Sequence, residues 1–278
     1  MTAGAWARPA AYPPPVARLS AAPDQPSAVA GALGDNDWSQ LAVEGLGTTV
    51  ELAVRGGGPG LLIDARQLLD DLDRKWNPAR PESLVAQIEA ADGQAVPLDD
   101  DTYALIEASM AAAEVTGGAV GSEGLILNPM LTRVAAPEGA VLDVDDLARA
   151  RAADAVAEAL VEAGAEGAVV DVGGALRLAG SVAEGSAWVV VVPDADDEVG
   201  NGPGRARIGI AEGACVTVER PTAALASVTV LAPDAASAMV LAAAADPERL
   251  AASGLPGLIV RDDGGAEPVG GIEAFLRA

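Results

Sequence analysis

The sequence contains no histidine, and this absence excludes a large part of ordinary enzyme chemistry. A histidine general base, a Ser-His-Asp triad and a histidine-ligated metal site are all impossible in this chain. Cysteine occurs once, at Cys215, so neither a disulfide within the chain nor a C-x-x-C site can form. Because Ala214 and Val216 flank it, we expect Cys215 to be a buried structural thiol rather than a reactive nucleophile.

Basic residues are also scarce, since Lys and Arg number 17 against 41 Asp and Glu, which gives a formal net charge of -24. A surface this negative repels nucleic-acid phosphates and anionic lipid headgroups, so neither nucleic acid nor a membrane surface is an expected partner. No apolar stretch approaches the roughly 18 residues that a membrane-spanning helix needs. The sequence therefore predicts a cytoplasmic protein.

Aromatic residues make up only 3% of the chain, although 50% of its residues are hydrophobic. The core must therefore be built from Ala, Val, Leu and Ile. Residues 1–37 are rich in Ala and Pro, with three consecutive prolines from Pro13 to Pro15, and lack the apolar run of a signal peptide. We interpret residues 1–37 as a disordered leader and residues 38–278 as one domain.

Hydrophobic periodicity divides residues 38–278 into an early group of helices and a later run of short strands. The pattern predicts helices over residues 61–76, 82–90, 99–115, 143–163 and 234–250, and strands over residues 45–54, 168–172, 175–179, 188–192, 205–210, 214–218, 227–231 and 257–261. Residues 125–134 are predicted to be irregular or 3₁₀. This order of elements predicts an α+β fold with a mainly antiparallel sheet.

Two polar segments invite a ligand-binding interpretation that their context does not favour. Gly173-Gly174 follows a strand but leads into another strand, whereas a dinucleotide-binding turn leads into a helix, so we predict a hairpin turn. The acidic segment from Asp194 to Asn201 lacks the ligand spacing of a calcium loop, and we predict a solvated hairpin tip.

The order of several short motifs resembles that of a known family. Leu46-Gly47-Thr48 resembles an M-G-T strand start, and Thr116-Gly117-Gly118-Ala119 resembles the start of a T-G-G-A-F-D-P-T motif. Further similarity lies in the helix that follows Leu142-Asp143, in Gly173-Gly174, in Thr217 and in residues 226–235. Over about residues 38–278 the chain thus resembles the ApbE family of FAD:protein FMN transferases.

The resemblance implies a single ApbE domain with a T-fold-like architecture. In that family FAD and Mg²⁺ bind in a cleft, and FMN is transferred to a Ser or Thr hydroxyl of a target protein with release of AMP. Carried over to this chain, the cofactor-binding positions are Gly47, Thr48, Gly117, Gly118, Ala119, Asp143, Arg149, Gly173, Gly174 and Thr217. We assign no catalytic and no metal-binding residue.

Departures from the family pattern accumulate at this site. Asp145-Asp146 stand where the helix motif has two glycines, and Arg149 stands where it has lysine. The motif aspartate after T-G-G-A is Gly121, and the family's H-x-I-D-P segment is missing. On the last helix, Met239 and Ala243 stand where a metal-binding Asp and a Thr are usual. FAD and Mg²⁺ are therefore both doubtful here.

Three functions follow from this resemblance and remain open at the level of sequence. The first is a non-catalytic family member with a regulatory or interaction role, whose partner would be a flavinylated or redox protein. The second is a residual binder of flavin or another small ligand through Gly47, Thr48 and residues 117–119. The third is an active FMN transferase whose metal is held by Asp143, Asp145 or Asp146.

Overall fold

The computed structural model of the protein describes residues 16–17, 38–58, 60–181, 188–192, 206–222 and 224–277. Most of the predicted leader and the acidic segment that begins at Asp194 lie outside these residues. Within the leader, the structure describes only Val16–Ala17, which form a two-residue strand. The division into a leader and a domain from residue 38 stays a prediction.

Fifteen strands form three sheets in the described part of the chain. They are β1 (Val16–Ala17), β2 (Trp38–Gly45), β3 (Thr48–Arg55), β4 (Val96–Pro97), β5 (Ile126–Asn128), β6 (Arg133–Ala135), β7 (Gly167–Val172), β8 (Ala175–Gly180), β9 (Trp188–Val192), β10 (Ala206–Ile210), β11 (Gly213–Thr222), β12 (Leu225–Ala232), β13 (Gly257–Arg261), β14 (Ala266–Val269) and β15 (Leu276–Arg277). The central sheet has eight strands in the order β14-β13-β12-β11-β8-β7-β3-β2, and each neighbouring pair is antiparallel. The other two have the orders β1-β9-β10-β15 and β4-β6-β5.

Helices cover one face of the central sheet. They are α1 (Gly60–Trp76), α2 (Leu84–Ala90), α3 (Asp100–Thr116), α4 (Asp145–Glu162), α5 (Ala235–Ala244) and α6 (Pro247–Ser253). Their buried side chains are mostly Ala, Val and Leu, so the helices pack on the sheet through small residues, as the shortage of aromatics requires. No helix in the described residues is both long enough and apolar enough to span a membrane.

The four-stranded sheet covers the opposite face of the central sheet and encloses a second core. Trp188 of β9 is almost fully buried there, and its ring packs edge-to-face on Trp38 with centroids 5.3 Å apart. Cys215 also lies in this core, where burial and the nearby carboxylate of Asp171 raise the pKa of its thiol to about 12. The prediction of a buried structural thiol is confirmed.

The predicted α+β class with an antiparallel sheet is confirmed, but several segments differ from the prediction, among them the short strands β4, β14 and β15, which were not predicted. Residues 38–45 form β2, which pairs with β3 across a tight turn. Residues 125–134, predicted as irregular or 3₁₀, contain β5 and part of β6. The helix predicted over residues 234–250 is two helices, because Ala245 adopts a left-handed conformation (φ 49°) and Asp246 caps a new start.

A buried carboxylate in α1 fixes the turn between β2 and β3. Asp73 is 4% exposed, and its Oδ1 accepts hydrogen bonds from the Leu46 N–H at 2.6 Å and from Asn77 Nδ2 at 2.8 Å. Arg80 pairs with the other carboxylate oxygen. Asp73 therefore satisfies a buried backbone donor that would otherwise be costly.

We expect Asp73→Ala to destabilise the fold by about 2–3 kcal/mol, because it leaves the buried Leu46 N–H without an acceptor. Urea unfolding followed by circular dichroism measures this loss. Asp64→Ala on the exposed side of the same helix is the control and should change the free energy of unfolding by less than about 0.5 kcal/mol. Equal losses for the two variants would contradict the assignment.

Asp171 of β7 is a second buried carboxylate, and it predicts a pH-dependent stability. Burial raises its pKa from 3.8 to about 6; the nearby Glu51 charge adds to the rise, and the hydrogen bond from the Gly174 N–H opposes it. Because the folded-state pKa lies above the unfolded value, the stability that the neutral carboxyl contributes is complete below pH 4. It is lost as the pH rises through about 6.

We expect Asp171→Asn to be more stable than the wild type by about 3 kcal/mol at pH 7 and by little at pH 4, since the amide oxygen can still accept the Gly174 N–H. Denaturant unfolding at a series of pH values measures the difference between the two proteins. Subtracting one curve from the other removes the contribution of Asp154, whose pKa is also about 6. A difference that does not change with pH would refute the assignment.

Candidate functional site

The turn between β2 and β3 presents Gly47 and Thr48 at one end of the central sheet. Leu46 and Gly47 both have positive φ, at 53° and 71°, as the tight turns of hairpins require. Leu46 tolerates this conformation because its side chain is buried and its N–H is held by Asp73. The predicted site position Gly47 is therefore placed by a contact with α1.

Arg149 of α4 packs over this turn. Its Nε donates to the Leu46 carbonyl oxygen at 3.1 Å, and its Nη1 lies 3.3 Å from the Asp146 carboxylate. Its Nη2 lies 3.6 Å from the point where a side chain at Gly47 would begin. The guanidinium therefore already binds two groups of its own chain, a backbone carbonyl and a carboxylate.

The turn between β7 and β8 meets the start of β3. Gly173 has φ 61°, and a Cβ there would lie 2.9 Å from Thr48 Oγ1, so only glycine permits this approach. The Gly174 N–H donates to Asp171 Oδ1 at 2.8 Å, which fixes the predicted hairpin turn. The structure thus brings the predicted positions Gly47, Thr48, Gly173 and Gly174 together.

Thr217 of β11 lies at the same end of the sheet, because the strand register pairs the preceding Val216 with Ala175. Its hydroxyl lies 2.9 Å from the hydroxyl of Thr229 on the neighbouring β12. This places Thr217 near the Gly174 turn but engages its side chain with the adjacent strand. Its role toward a ligand stays a prediction.

The segment from Thr116 to Ser122 closes the C-terminal end of α3. Gly117 caps the helix in a left-handed conformation. The Thr116 hydroxyl lies 2.8 Å from the Ala112 carbonyl oxygen and accepts the Val120 N–H at 3.2 Å. Gly121 has φ 105°, and a Cβ there would lie 2.2 Å from the Ser109 carbonyl oxygen, so the loop is packed directly on the helix.

Two buried serines join this loop to the start of α4, and the sequence analysis did not identify them. The hydroxyls of Ser109 and Ser122 lie 2.7 Å apart. Ser109 donates to the Asp143 carbonyl oxygen at 2.7 Å, and the Asp143 N–H donates to Ser122 Oγ at 3.0 Å. A serine inside the apolar stripe of α3, between Leu105 and Ala112, is the sequence signal that could have revealed this contact.

Several carboxylates lie where the loop after α3 meets the start of α4. Burial raises the pKa of Asp143, and the neighbouring charges of Asp146 and Asp145 raise it further. Asp145 and Asp146 lie in the first turn of α4. In the loop, a Cβ at Gly118 would lie 2.5 Å from Glu123 Oε1, so a carboxylate oxygen sits against this glycine.

The residues present do not fit a magnesium ion with a bound dinucleotide. In the described part of the chain, no three Asp, Glu, Cys or His side chains are grouped so that they could hold a metal ion. Met239 of α5 is buried and Ala243 has only a methyl side chain, so neither side chain offers an oxygen ligand. The Gly118 N–H is engaged by the Ala113 carbonyl oxygen at 2.9 Å, and the Glu123 carboxylate lies beside this glycine, so the turn does not suit a phosphate.

Comparisons with solved structures place the fold. The chain is similar to the ApbE protein of Thermotoga maritima, with a TM-score of 0.76 and 22% identity over 87% of this chain and 100% of that chain. It is also similar to flavin transferase ApbE of Vibrio cholerae (TM-score 0.73, 18% identity, 86% and 99%) and to the apo form of Pseudomonas stutzeri flavinyl transferase ApbE (TM-score 0.70, 17% identity, 87% and 99%). At these identities the likeness shows the fold alone.

Sequence comparison supplies the family. No curated protein matches the chain significantly. A sequence model of the ApbE family, in contrast, matches residues 46–122 and 119–218, which together span more than half of the chain and contain every predicted cofactor-binding position. With motifs, fold and family model in agreement, the chain belongs to the ApbE family.

Proposed function

We propose that this ApbE-family protein does not transfer flavin and that it acts by binding another protein. The observation that carries the proposal is the carboxylate of Glu123, which lies against Gly118 in the loop that resembles the family's T-G-G-A motif. Backbone N–H groups at glycine-rich turns attract phosphate only while the space before them is free of anions. Here the Gly118 N–H already donates to the Ala113 carbonyl oxygen at 2.9 Å, and the Glu123 carboxylate lies beside the same glycine, so this turn offers a phosphate neither a free donor nor a neutral surrounding.

Electrostatics around the helix α4 start supports the same conclusion. Asp145 and Asp146 add two carboxylates to the first turn, next to the partly buried Asp143. Two like charges about 4 Å apart repel by roughly 1 kcal/mol in water and by about 4 kcal/mol at an effective dielectric of 20. Arg149 pairs with Asp146 and so offsets part of this charge, but it also donates to the Leu46 carbonyl oxygen, so its guanidinium is not free to bind a phosphate.

The family reaction requires a bound metal ion as well as a bound nucleotide, and the usual metal ligands are missing here. Transfer of a phosphoryl-type group depends on positioning and on neutralising the charge that develops in the transition state. Without an oxygen ligand at Met239 or Ala243, no cation is held where the pyrophosphate of FAD would need it. A cleft with more negative charge and no bound cation disfavours both binding and chemistry.

Exposed apolar side chains near the loop support a role in binding a protein. Ile126 of β5 is 59% exposed, and Met130 and Leu131 in the following turn are 89% and 63% exposed. Val141, which bridges to Glu123, is 51% exposed. Apolar side chains concentrated in one region of an acidic surface favour contact with another protein, and members of a flavin transferase family act on protein substrates. The partner that we propose is a flavinylated or redox protein.

The proposal predicts that the purified protein releases no AMP above the enzyme-free background when it is mixed with FAD, Mg²⁺ and a flavinylation acceptor protein. Flavin transferase ApbE of Vibrio cholerae serves as the positive control. In a thermal-shift assay, about 1 mM FAD with Mg²⁺ should leave the melting temperature unchanged, since a ligand that does not bind the native state cannot stabilise it.

A variant without three of these carboxylates tests whether charge repulsion is what prevents phosphate binding. In Glu123→Gln/Asp145→Asn/Asp146→Asn the repulsion is removed, so inorganic pyrophosphate or AMP should raise the melting temperature of this variant but not of the wild type. The matched control is Asp64→Asn/Asp70→Asn/Asp71→Asn, which removes three charges from the exposed side of α1 and should not bind either ligand. AMP release by the wild type, or stabilisation of the wild type by FAD, would refute the proposal.

A further inference from the structure

A cavity lies between α3, α4 and α5, on the side of these helices that faces away from the central sheet. Its volume is about 480 Å³, within the roughly 300–1,000 Å³ range of small-molecule sites. Most of the wall is apolar and is made of alanines from α3 and α5 together with Val115, Leu147, Val240, Leu241 and Leu255. The polar part of the wall is limited to Arg151, Asp234 and Ser237.

Arg151 of α4 brings a positive charge without a counter-charge to this cavity. Its Nε is buried and has no hydrogen-bond partner, and its guanidinium forms no ion pair within the described residues. A buried guanidinium nitrogen without an acceptor is costly, and an incoming anion would remove that cost.

The carboxylates around the cavity are engaged elsewhere. Asp234 caps α5, and its oxygens accept the Ser237 N–H at 2.7 Å and the Ser237 hydroxyl at 3.0 Å. Asp154, one turn along α4 from Arg151, accepts the N–H groups of Ala235 and Ala236 at 2.7 and 3.1 Å and pairs with Arg177. Neither carboxylate lies within ion-pair distance of Arg151, so its charge is left for a ligand.

This cavity is separate from the cleft that carries the family motifs. Arg149 and Arg151 are two residues apart on α4, and therefore about 200° apart around the helix axis. Arg149 points to the β2–β3 turn, whereas Arg151 lines the cavity against α3 and α5. None of the ten predicted cofactor-binding residues lines the cavity.

We propose that this cavity binds a small carboxylate with an apolar tail, with Arg151 pairing to the carboxylate and the helix side chains covering the tail. The single charge and the largely apolar wall favour this class of ligand over a nucleotide, which would bring several charges and a polar sugar. A guanidinium pairs with a carboxylate through two parallel hydrogen bonds, which fixes the ligand's orientation. Alkyl and aryl carboxylates share this chemistry.

Isothermal titration with octanoate, 4-phenylbutyrate and 1-octanol tests the proposal on the full chain. We expect binding of at least one carboxylate and at least about tenfold weaker binding of 1-octanol, since the alcohol cannot replace the charge-assisted pair. The preferred carboxylate distinguishes an alkyl from an aryl ligand. Binding should move the amide NMR signals of residues that line the cavity, among them those of Ser237 and Leu241.

Two variants separate the charge from the apolar wall. Arg151→Gln should weaken binding of the preferred carboxylate at least about tenfold, whereas Arg66→Gln on the exposed side of α1 should leave it unchanged. Val115→Trp, at a 42% exposed position on the rim, should block binding without unfolding the protein. Absence of carboxylate binding to the wild type, or equal binding by Arg151→Gln, would overturn the inference.

Discussion

The central sheet is covered on both faces, and this constraint decides where polar chemistry can exist in the molecule. Strands β7 and β12 are buried along their whole length, between the helices on one side and the four-stranded sheet on the other. Polar groups on such strands must find partners inside the protein, as Asp171 does at the Gly174 N–H and Thr229 does at Thr217. Ligand contacts are therefore confined to the turns at the end of the sheet and to the helix surfaces.

Because ligand contacts are confined to these places, the side chains at the turns can change without loss of the fold. The interactions that hold these segments in place are buried hydrogen bonds. Asp73 accepts the Leu46 N–H, and the Ser109–Ser122 pair binds the backbone at the start of α4. The side chains that differ from the family pattern, such as Glu123 and Asp145, are in contrast exposed. A change of these exposed side chains therefore affects what can bind at the turns without disturbing the buried groups that support them.

The sequence was enough to predict the elements whose pattern is local. The helices predicted over residues 61–76 and 99–115 and the strands predicted over residues 168–172 and 175–179 each depend on a pattern within one segment, and the structure agrees with them. The break at Ala245 has a sequence signal that the prediction did not use, because Pro247 cannot continue a helix and Asp246 caps a new one, whereas the left-handed conformation of Ala245 itself depends on packing. For the site, sequence motifs identified the glycine turns, but the contact of Glu123 with Gly118 depends on how the loop folds back, which no pattern of residues along the chain records.

The carboxylates at the start of α4 also have a structural consequence that helps to explain why the chain tolerates them. The residue before the helix, Val144, provides no side-chain hydrogen bond to the free N–H groups of the first turn. A phosphate bound at such a terminus would stabilise it through the helix dipole, and carboxylates in the first turn do the same by about 0.3–1 kcal/mol each. Asp145 and Asp146 therefore supply from within the chain part of the negative charge that a bound nucleotide would bring. A helix terminus stabilised in this way does not depend on a ligand, and the same two charges repel an incoming anion.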